Sequence, residues 1–334
     1  MTKLRRFAVV GAGAWGTALA LVATRAGRQA ILWAREREVL ESIIQRGENA
    51  AFLPGVALDP PFAVTDEFHA ALEEVDAVIL AVPAQFLRPV LTEVVRYIPP
   101  AAPLVLAAKG IERESGALLS EAIAEALPKH PLVVLSGPTF AAEVAKGLPT
   151  AVTLAARERA MAEAMAQALG GRGFRPYASD DPVGVEIGGA VKNVIAIACG
   201  IVVGRGLGEN ARAALLTRGL AEITRLGVAK GAKAETFMGL SGLGDLALTC
   251  ASPQSRNMSL GVALGQGKGL AEILGARRSV AEGVTTAPAV LALAQRLGVE
   301  MPISAAVAAV LYEGADIDET IAVLLSRPLK AEGR

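Results

Sequence analysis

Phe7-Ala-Val-Val-Gly11-Ala-Gly13-Ala-Trp15-Gly16 decides the fold of this chain. A four-residue apolar run, Phe7–Val10, breaks at Gly11, and a helical pattern from Gly16 to Arg25 follows it. G-x-G-x-x-G at a strand-to-helix turn gives each glycine its own task. Gly11 permits the tight turn, Gly13 lets the backbone approach a pyrophosphate, and Gly16 lets the helix pack close to the sheet. The helix start presents unpaired N–H groups and a positive dipole end to phosphate oxygens. Gly27 then supplies a left-handed helix stop, and Ala30–Trp33 is the second strand. The motif alone is weak, but strand, helix and strand in this order make it a dinucleotide cradle.

Beyond the cradle the alternation continues. Ala77–Val82, Leu104–Ala108, Leu132–Leu135 and Ala151–Leu154 are strand-like, and Arg37–Gln45, Gln85–Tyr97 and Ser115–Leu127 are helical. Strands separated by helices of this length imply crossover connections and a mostly parallel sheet. The strands are continuous apolar runs, as expected where helices cover both faces. After about residue 180 the strand signals fade, and long Ala/Leu-rich stretches take over: Val183–Cys199, Ala211–Ala229, Leu260–Leu264, Ala287–Gln295 and Ile303–Leu311. The expected architecture is α/β, a Rossmann-type mostly parallel sheet followed by a mainly α-helical second domain. The Asp/Pro-rich break at Ser179–Pro182 divides it into residues 1–180 and 181–334.

Composition excludes several functional classes. The 334 residues carry 33 basic and 33 acidic side chains, so no global field draws nucleic acid or an anionic membrane, and any anion site is local. Two cysteines, Cys199 and Cys250, make no disulfide framework and lack metal-ligand spacing, which fits a reducing cytoplasm. The N-terminus has no long apolar region of an export signal. Val183–Gly204 has spanning length, but Glu186 and Lys192 lie inside it. Each charge near mid-bilayer costs roughly 2.5–3.5 kcal/mol, so the expectation is a buried helix and no membrane span. The apolar helical half suggests a homodimer.

Proton chemistry needs a titratable group, and the two histidines are poor candidates. His69 lies in a polar helical stretch and His130 in the Pro128–Pro131 loop. Lys192, flanked by apolar residues in Gly188-Gly-Ala-Val-Lys192-Asn193-Val-Ile, is the best candidate. Helical spacing puts Gly188 and Gly189 beside it, leaving space for a ligand, and desolvation lowers an ammonium pKa toward neutrality. Lys109 ends a strand, and Gly137-Pro-Thr139-Phe-Ala141 follows the next one, both where open α/β sheets collect ligands. Leu240-Ser-Gly-Leu-Gly244-Asp245 holds a carboxylate in a glycine-rich turn. Ser255-Arg256-Asn257 suits a phosphate, since Arg offers a rigid fork of donors; it fits a helix N-cap with an exposed Arg equally well. At the end of the second strand, Arg35 favours a 2′-phosphate and hence NADPH, while Glu36 beside it leaves NADH possible.

Taken together, GAGAWGTALA, AAKGIE around Lys109, LSGPTFAAEV, GAVKNVIAIACGI, SGLGDLALTC and SRN resemble the bacterial NAD(P)-dependent glycerol-3-phosphate dehydrogenase family, in that family's order over nearly the whole chain. The resemblance implies reduction of dihydroxyacetone phosphate to sn-glycerol 3-phosphate, the precursor of phospholipid backbones. It makes Lys192 the proton donor and acceptor. It places Lys109, Gly137, Thr139, Asn193, Asp245, Thr249, Ser255, Arg256 and Asn257 around the phosphorylated substrate. Beside Gly11, Gly13 and Gly16 of the turn, it puts Ala14, Trp15, Arg35, Lys109, Ala141, Arg256, Val280 and Glu282 at the cofactor. Two positions depart from the family pattern: Ala14 stands where serine is common, and Glu36 where a basic residue is frequent. Competing expectations are a β-hydroxyacid or ketopantoate-type reductase, whose substrates carry carboxylates, and a non-catalytic NAD(H)-sensing regulator, which would need a nucleic-acid-binding module.

Overall fold

The structure, a computed structural model, describes residues 4–276 and 281–328. Eight strands, β1 (Arg6–Val10), β2 (Gln29–Trp33), β3 (Ala63–Thr65), β4 (Ala77–Leu80), β5 (Leu104–Leu106), β6 (Leu132–Ser136), β7 (Thr150–Ala155) and β8 (Phe174–Ser179), form one sheet in the order β3-β2-β1-β4-β5-β6-β7-β8. Every neighbouring pair is parallel except β6 and β7. The connections carry α1 (Ala14–Arg25), α2 (Arg37–Arg46), α3 (Phe68–Leu72), α4 (Leu87–Val94), α5 (Leu119–Ala126), α6 (Ala141–Ala145) and α7 (Arg159–Leu169). Strand order reverses between β1 and β4, which opens a crevice above the carboxyl ends of the strands. β1 sends Phe7 and Val9 into one apolar layer and Ala8 and Val10 into the other, which explains its uninterrupted hydrophobic run.

The helical domain comprises α8 (Pro182–Gly204), α9 (Glu209–Ala229), α10 (Asp245–Ala251), α11 (Arg256–Gly265), α12 (Leu270–Gly275), α13 (Glu282–Leu297), α14 (Pro302–Ala308) and α15 (Ile317–Leu325). α8 starts where Asp181 accepts from the Gly184 N–H at 2.9 Å, with Pro182 in the first turn, where its missing N–H costs nothing. This helix is long and apolar enough to cross a membrane, yet 89% of its apolar window is buried in the protein, so it is the core helix that the other helices surround. Its glycines serve close crossing. A Cβ on Gly261 of α11 would lie 2.9 Å from the Gly200 Cα, and one on Gly265 would lie 3.0 Å from the Gly204 Cα, so the two backbones touch along a glycine seam. In α13, Pro288 cannot donate to the Val284 carbonyl four residues back; the Tyr312 hydroxyl donates to it instead, at 2.8 Å.

Three departures from the sequence expectations have physical causes. β8 is unanticipated because Arg175 and Pro176 interrupt its pattern, and its edge position is where a strand tolerates proline. β3 is only three residues long and carries no run to detect. The helix expected from Ser115 begins at Leu119, because Gly116 is left-handed (φ 64°) and Ile111 bridges Leu118 to make a strap. The helical domain grips this strap. Arg296 donates to the Ser115 and Gly116 carbonyls at 2.6 Å each, and Glu186 accepts from the Ser120 N–H at 3.0 Å. The strap directly follows Lys109 and so anchors it.

Candidate active site

The glycine turn performs the three tasks its spacing demands. Gly11 has φ 112° and donates to the Trp33 carbonyl at 3.2 Å, and a Cβ there would lie 2.9 Å from the Ala81 carbonyl oxygen. A Cβ on Gly16 would run into the Gly11 carbonyl oxygen, so α1 packs directly onto the turn. At Gly13, the N-cap of α1, the corresponding space is empty to 4 Å, which leaves the backbone open to a ligand. Ala14 begins the helix, and the buried indole Nε1 of Trp15 has no partner among the described residues. Arg35 stands two residues past β2, with a side chain 72% exposed and Glu36 a loose 3.9 Å away, so its guanidinium is accessible to an anion. Ala141 opens α6, half-buried after the Gly137 loop. Glu282, at the first turn of α13, is half-buried beside Gly110 and takes the Ala84 N–H, but its buried Oε2 has no partner among the described residues. Burial pushes this carboxyl up to about 7. An open glycine cradle, an orphaned indole donor and an orphaned carboxyl oxygen fit a dinucleotide. Val280 lies outside the described residues.

Two lysines share one carboxylate above β5 and β6. Asp245, fully buried at the start of α10, accepts from Lys192 Nζ through Oδ1 and from Lys109 Nζ through Oδ2, the latter at 2.8 Å. Lys192 also donates to Thr249 Oγ1 at 2.9 Å, and Thr249 in turn donates to the Asp245 carbonyl at 2.6 Å. Lys109 donates to the Gly137 carbonyl at 3.0 Å and approaches Thr139 Oγ1 at 3.5 Å. Gly137 is required by its φ of 147° and by Val152 Cα, which a Cβ would approach to 2.9 Å. Burial pushes the Lys192 ammonium down to about 8; Asp245 opposes that shift and Lys109 adds to it. The result is a buried cation still protonated at neutral pH but able to release its proton.

The glycines next to Lys192 have a different purpose from the open space expected of them. A Cβ on Gly188 would lie 2.5 Å from the Ser241 carbonyl oxygen, and one on Gly189 would lie 2.5 Å from Ser136 Oγ. They let α8 press against the Leu240–Gly244 turn and the end of β6, and this packing brings Lys192, Asp245 and Lys109 together. Ser255 is the N-cap of α11: its Oγ accepts from the Met258 N–H at 3.2 Å, which leaves its hydroxyl proton available. Arg256 is exposed and within electrostatic reach of Glu282. Asn257 bridges helices, donating to Asn193 Oδ1 at 3.0 Å and accepting from the Gly283 N–H at 2.9 Å. His69 and His130 lie outside this cluster, the former exposed and the latter against the Pro99 carbonyl. Sequence reasoning missed Ser136 and Thr286, buried hydroxyls with no partner among the described residues. Ser136 was within reach, since it ends a strand at the crevice.

Residues 6–162 match the family described as NAD-dependent glycerol-3-phosphate dehydrogenase N-terminus, and residues 181–322 match the corresponding C-terminus. A glycerol-3-phosphate dehydrogenase (NAD(P)+) from Rhodospirillum rubrum is 62% identical over 98% of this chain and 93% of its own length. Its counterpart from Parvibaculum lavamentivorans is 57% identical over 98% of both. Among solved structures, glycerol-3-phosphate dehydrogenase from Coxiella burnetii superposes with a TM-score of 0.93 at 40% identity, over 97% of this chain and 99% of that one. Both family halves match in order, on either side of the junction that carries the lysine–aspartate network. The chain therefore belongs to the NAD-dependent glycerol-3-phosphate dehydrogenase family.

Proposed function

We propose that this chain reduces dihydroxyacetone phosphate to sn-glycerol 3-phosphate, reversibly, with NADPH favoured and NADH accepted, and that Lys192 is its proton donor. The observation that carries the reading is a lysine–aspartate–lysine network built on the buried Asp245 at the mouth of the sheet, beside the glycine cradle. The nucleotide-binding half is residues 1–180 and the substrate half 181–334. Gly11, Gly13, Ala14, Trp15 and Gly16 hold the pyrophosphate side of the cofactor, Arg35 its ribose end, and Ala141 and Glu282 its nicotinamide side. A bound nicotinamide supplies the hydride that the carbonyl carbon accepts.

This chain's residues supply the rest. Lys192 Nζ gives its proton to the carbonyl oxygen as negative charge develops there, becoming a neutral amine held by Asp245 and Thr249. Asp245 keeps the ammonium charged and oriented before transfer, and Lys109 places a second positive charge near the same oxygen. Asn193 and the Ser255 hydroxyl are neutral donors toward the substrate, Thr139 holds the Gly137 turn beside it by donating to the Gly137 carbonyl, and Arg256 with Asn257 clamps its phosphate, positioning the carbonyl. In the oxidative direction Lys192 is the base.

Steady-state kinetics on dihydroxyacetone phosphate with NADPH and NADH side by side test the reading. Turnover is expected with both cofactors. Its absence, with turnover instead on a β-keto acid lacking phosphate, would overturn the assignment in favour of a carboxylate-reducing dehydrogenase. Arg256→Ala is expected to raise KM for dihydroxyacetone phosphate roughly 10–100-fold, the worth of one charge-assisted hydrogen bond. An unchanged KM removes Arg256 from the clamp. Arg35→Ala is expected to raise KM for NADPH about tenfold while leaving that for NADH within about twofold. Equal effects on both cofactors would show that Arg35 does not read the 2′-phosphate.

The product's chemistry suits the supply of phospholipid backbones. The two cysteines, both free and buried, fit a reducing cytoplasm. A homodimer accords with α15, none of whose residues is buried and whose Val323 and Leu325 are 67% and 81% exposed.

A further inference from the structure

Asn49 is completely buried, although it lies in the connection between α2 and β3, outside every motif that marks the site. Its amide nitrogen donates to the Ala12 carbonyl at 2.8 Å and to Thr17 Oγ1 at 2.8 Å, and its Oδ1 accepts from the Phe52 N–H at 3.2 Å. Ala12 is the residue between Gly11 and Gly13, and Thr17 lies in the first turn of α1. Both amide hydrogens of Asn49 therefore go to the glycine turn, one to the loop and one to the helix that the turn launches.

The segment behind Asn49 is a rigid abutment. Gly47 closes α2 in the left-handed conformation, and its carbonyl accepts from the Leu58 N–H at 2.8 Å. Glu48 bridges Ala57 and its carboxylate takes the Gly55 N–H at 2.6 Å. Leu53, Val56 and Leu58 are buried in the same core that holds Ala12 and α1. Buried Ser42 of α2 donates to the Glu48 carbonyl at 2.7 Å and accepts from the Ala50 N–H at 3.3 Å. α2 begins just after Arg35 and Glu36. A continuous run of hydrogen bonds thus joins the helix that follows the ribose-end residue to the turn at the pyrophosphate end.

We propose that Asn49 is a positioning residue for the cofactor: a buried strut that fixes the glycine turn in its binding conformation and ties the 47–58 segment to nucleotide affinity. The proposal rests on the dinucleotide reading given above. A preorganised turn binds without the entropic cost of ordering, and a turn that has lost its strut must be ordered by the ligand itself. Asn49 and its partners take no part in the hydrogen bonds of Lys192, Asp245 and Lys109, so the effect falls on cofactor binding and spares the chemical step.

The test is fluorescence titration of the purified, cofactor-free full chain with NADPH and NADH, for wild type, Asn49→Ala and Asn49→Asp, with kcat and KM for dihydroxyacetone phosphate measured at saturating cofactor. Asn49→Asp keeps the shape but has no donor when ionised, and regains one when protonated. Both variants are expected to raise the Kd for both cofactors roughly tenfold, with kcat and substrate KM within about twofold of wild type. The Asp variant should recover affinity as pH is lowered and the Ala variant should not, a difference that a merely structural role would not produce. Should Asn49→Ala not fold, Asn49→Asp and Thr17→Val, which loses one of the two bonds, carry the test, with a smaller rise expected for the latter. Cofactor affinity within twofold of wild type in the folded variants overturns the strut, as does a loss confined to kcat. Failure of the wild-type chain itself to bind either cofactor instead overturns the dinucleotide reading, and the strut with it.

Discussion

Lys192→Ala is expected to lower kcat for dihydroxyacetone phosphate reduction about a thousandfold, within the range that positioned acid–base groups contribute. The fold should survive. Lys192 is buried at the centre of the helical domain, but its removal leaves no orphaned charge, because Asp245 keeps Lys109 as a partner at 2.8 Å. The loss therefore appears in kcat with a melting temperature near that of wild type. Turnover within tenfold of wild type would remove Lys192 from the proton-transfer step. Lys109 could not simply replace it, since all three of its N–H groups face the Gly137 carbonyl, Thr139 Oγ1 and Asp245 Oδ2, whereas Lys192 has two such partners and one N–H to spare.

Asp245→Asn should be nearly as damaging, for a different reason. The substitution preserves shape and deletes the one negative charge between two ammonium groups. Breaking a buried pair in this way typically costs about 3–5 kcal/mol. Lys192 escapes part of that cost by losing its proton. Burial already pushes it down to about 8 against the support of Asp245, so without that support its pKa falls further. The sign follows directly. Reduction needs the ammonium form, so activity is lost as pH rises through the Lys192 pKa, and in the variant this limb moves to lower pH. At neutral pH kcat should fall at least about a hundredfold. An activity limb left where wild type has it would mean that Asp245 does not control the Lys192 proton.

Much of this was legible in the sequence because two signals are local. The glycine turn lies within ten residues, and its strand–helix–strand context comes from the apolar runs on either side. Lys192 stood out as a charge in an apolar helix, and α8 spans Pro182–Gly204 around it. What could not be read is what joins distant segments. Lys109 and Asp245 are 136 residues apart, and nothing in either motif announces that they meet. The glycines beside Lys192 serve helix packing and not ligand space, and spacing could not tell the two apart, because it reveals which residues share a face but not what lies against it. The two readings of Ser255-Arg256-Asn257 were not rivals: Ser255 caps α11 and still leaves a hydroxyl proton to give. Asn49 was invisible for the same reason as the lysine–aspartate pairing, since its partners lie 32 and 37 residues away.

The pH dependence of turnover, measured in both directions on the wild-type enzyme, bears most directly on the claim that Lys192 donates and accepts the proton. The geometry predicts that dihydroxyacetone phosphate reduction falls and glycerol 3-phosphate oxidation rises through one shared ionisation at about 8. Rates in both directions that stay flat across that range would contradict it.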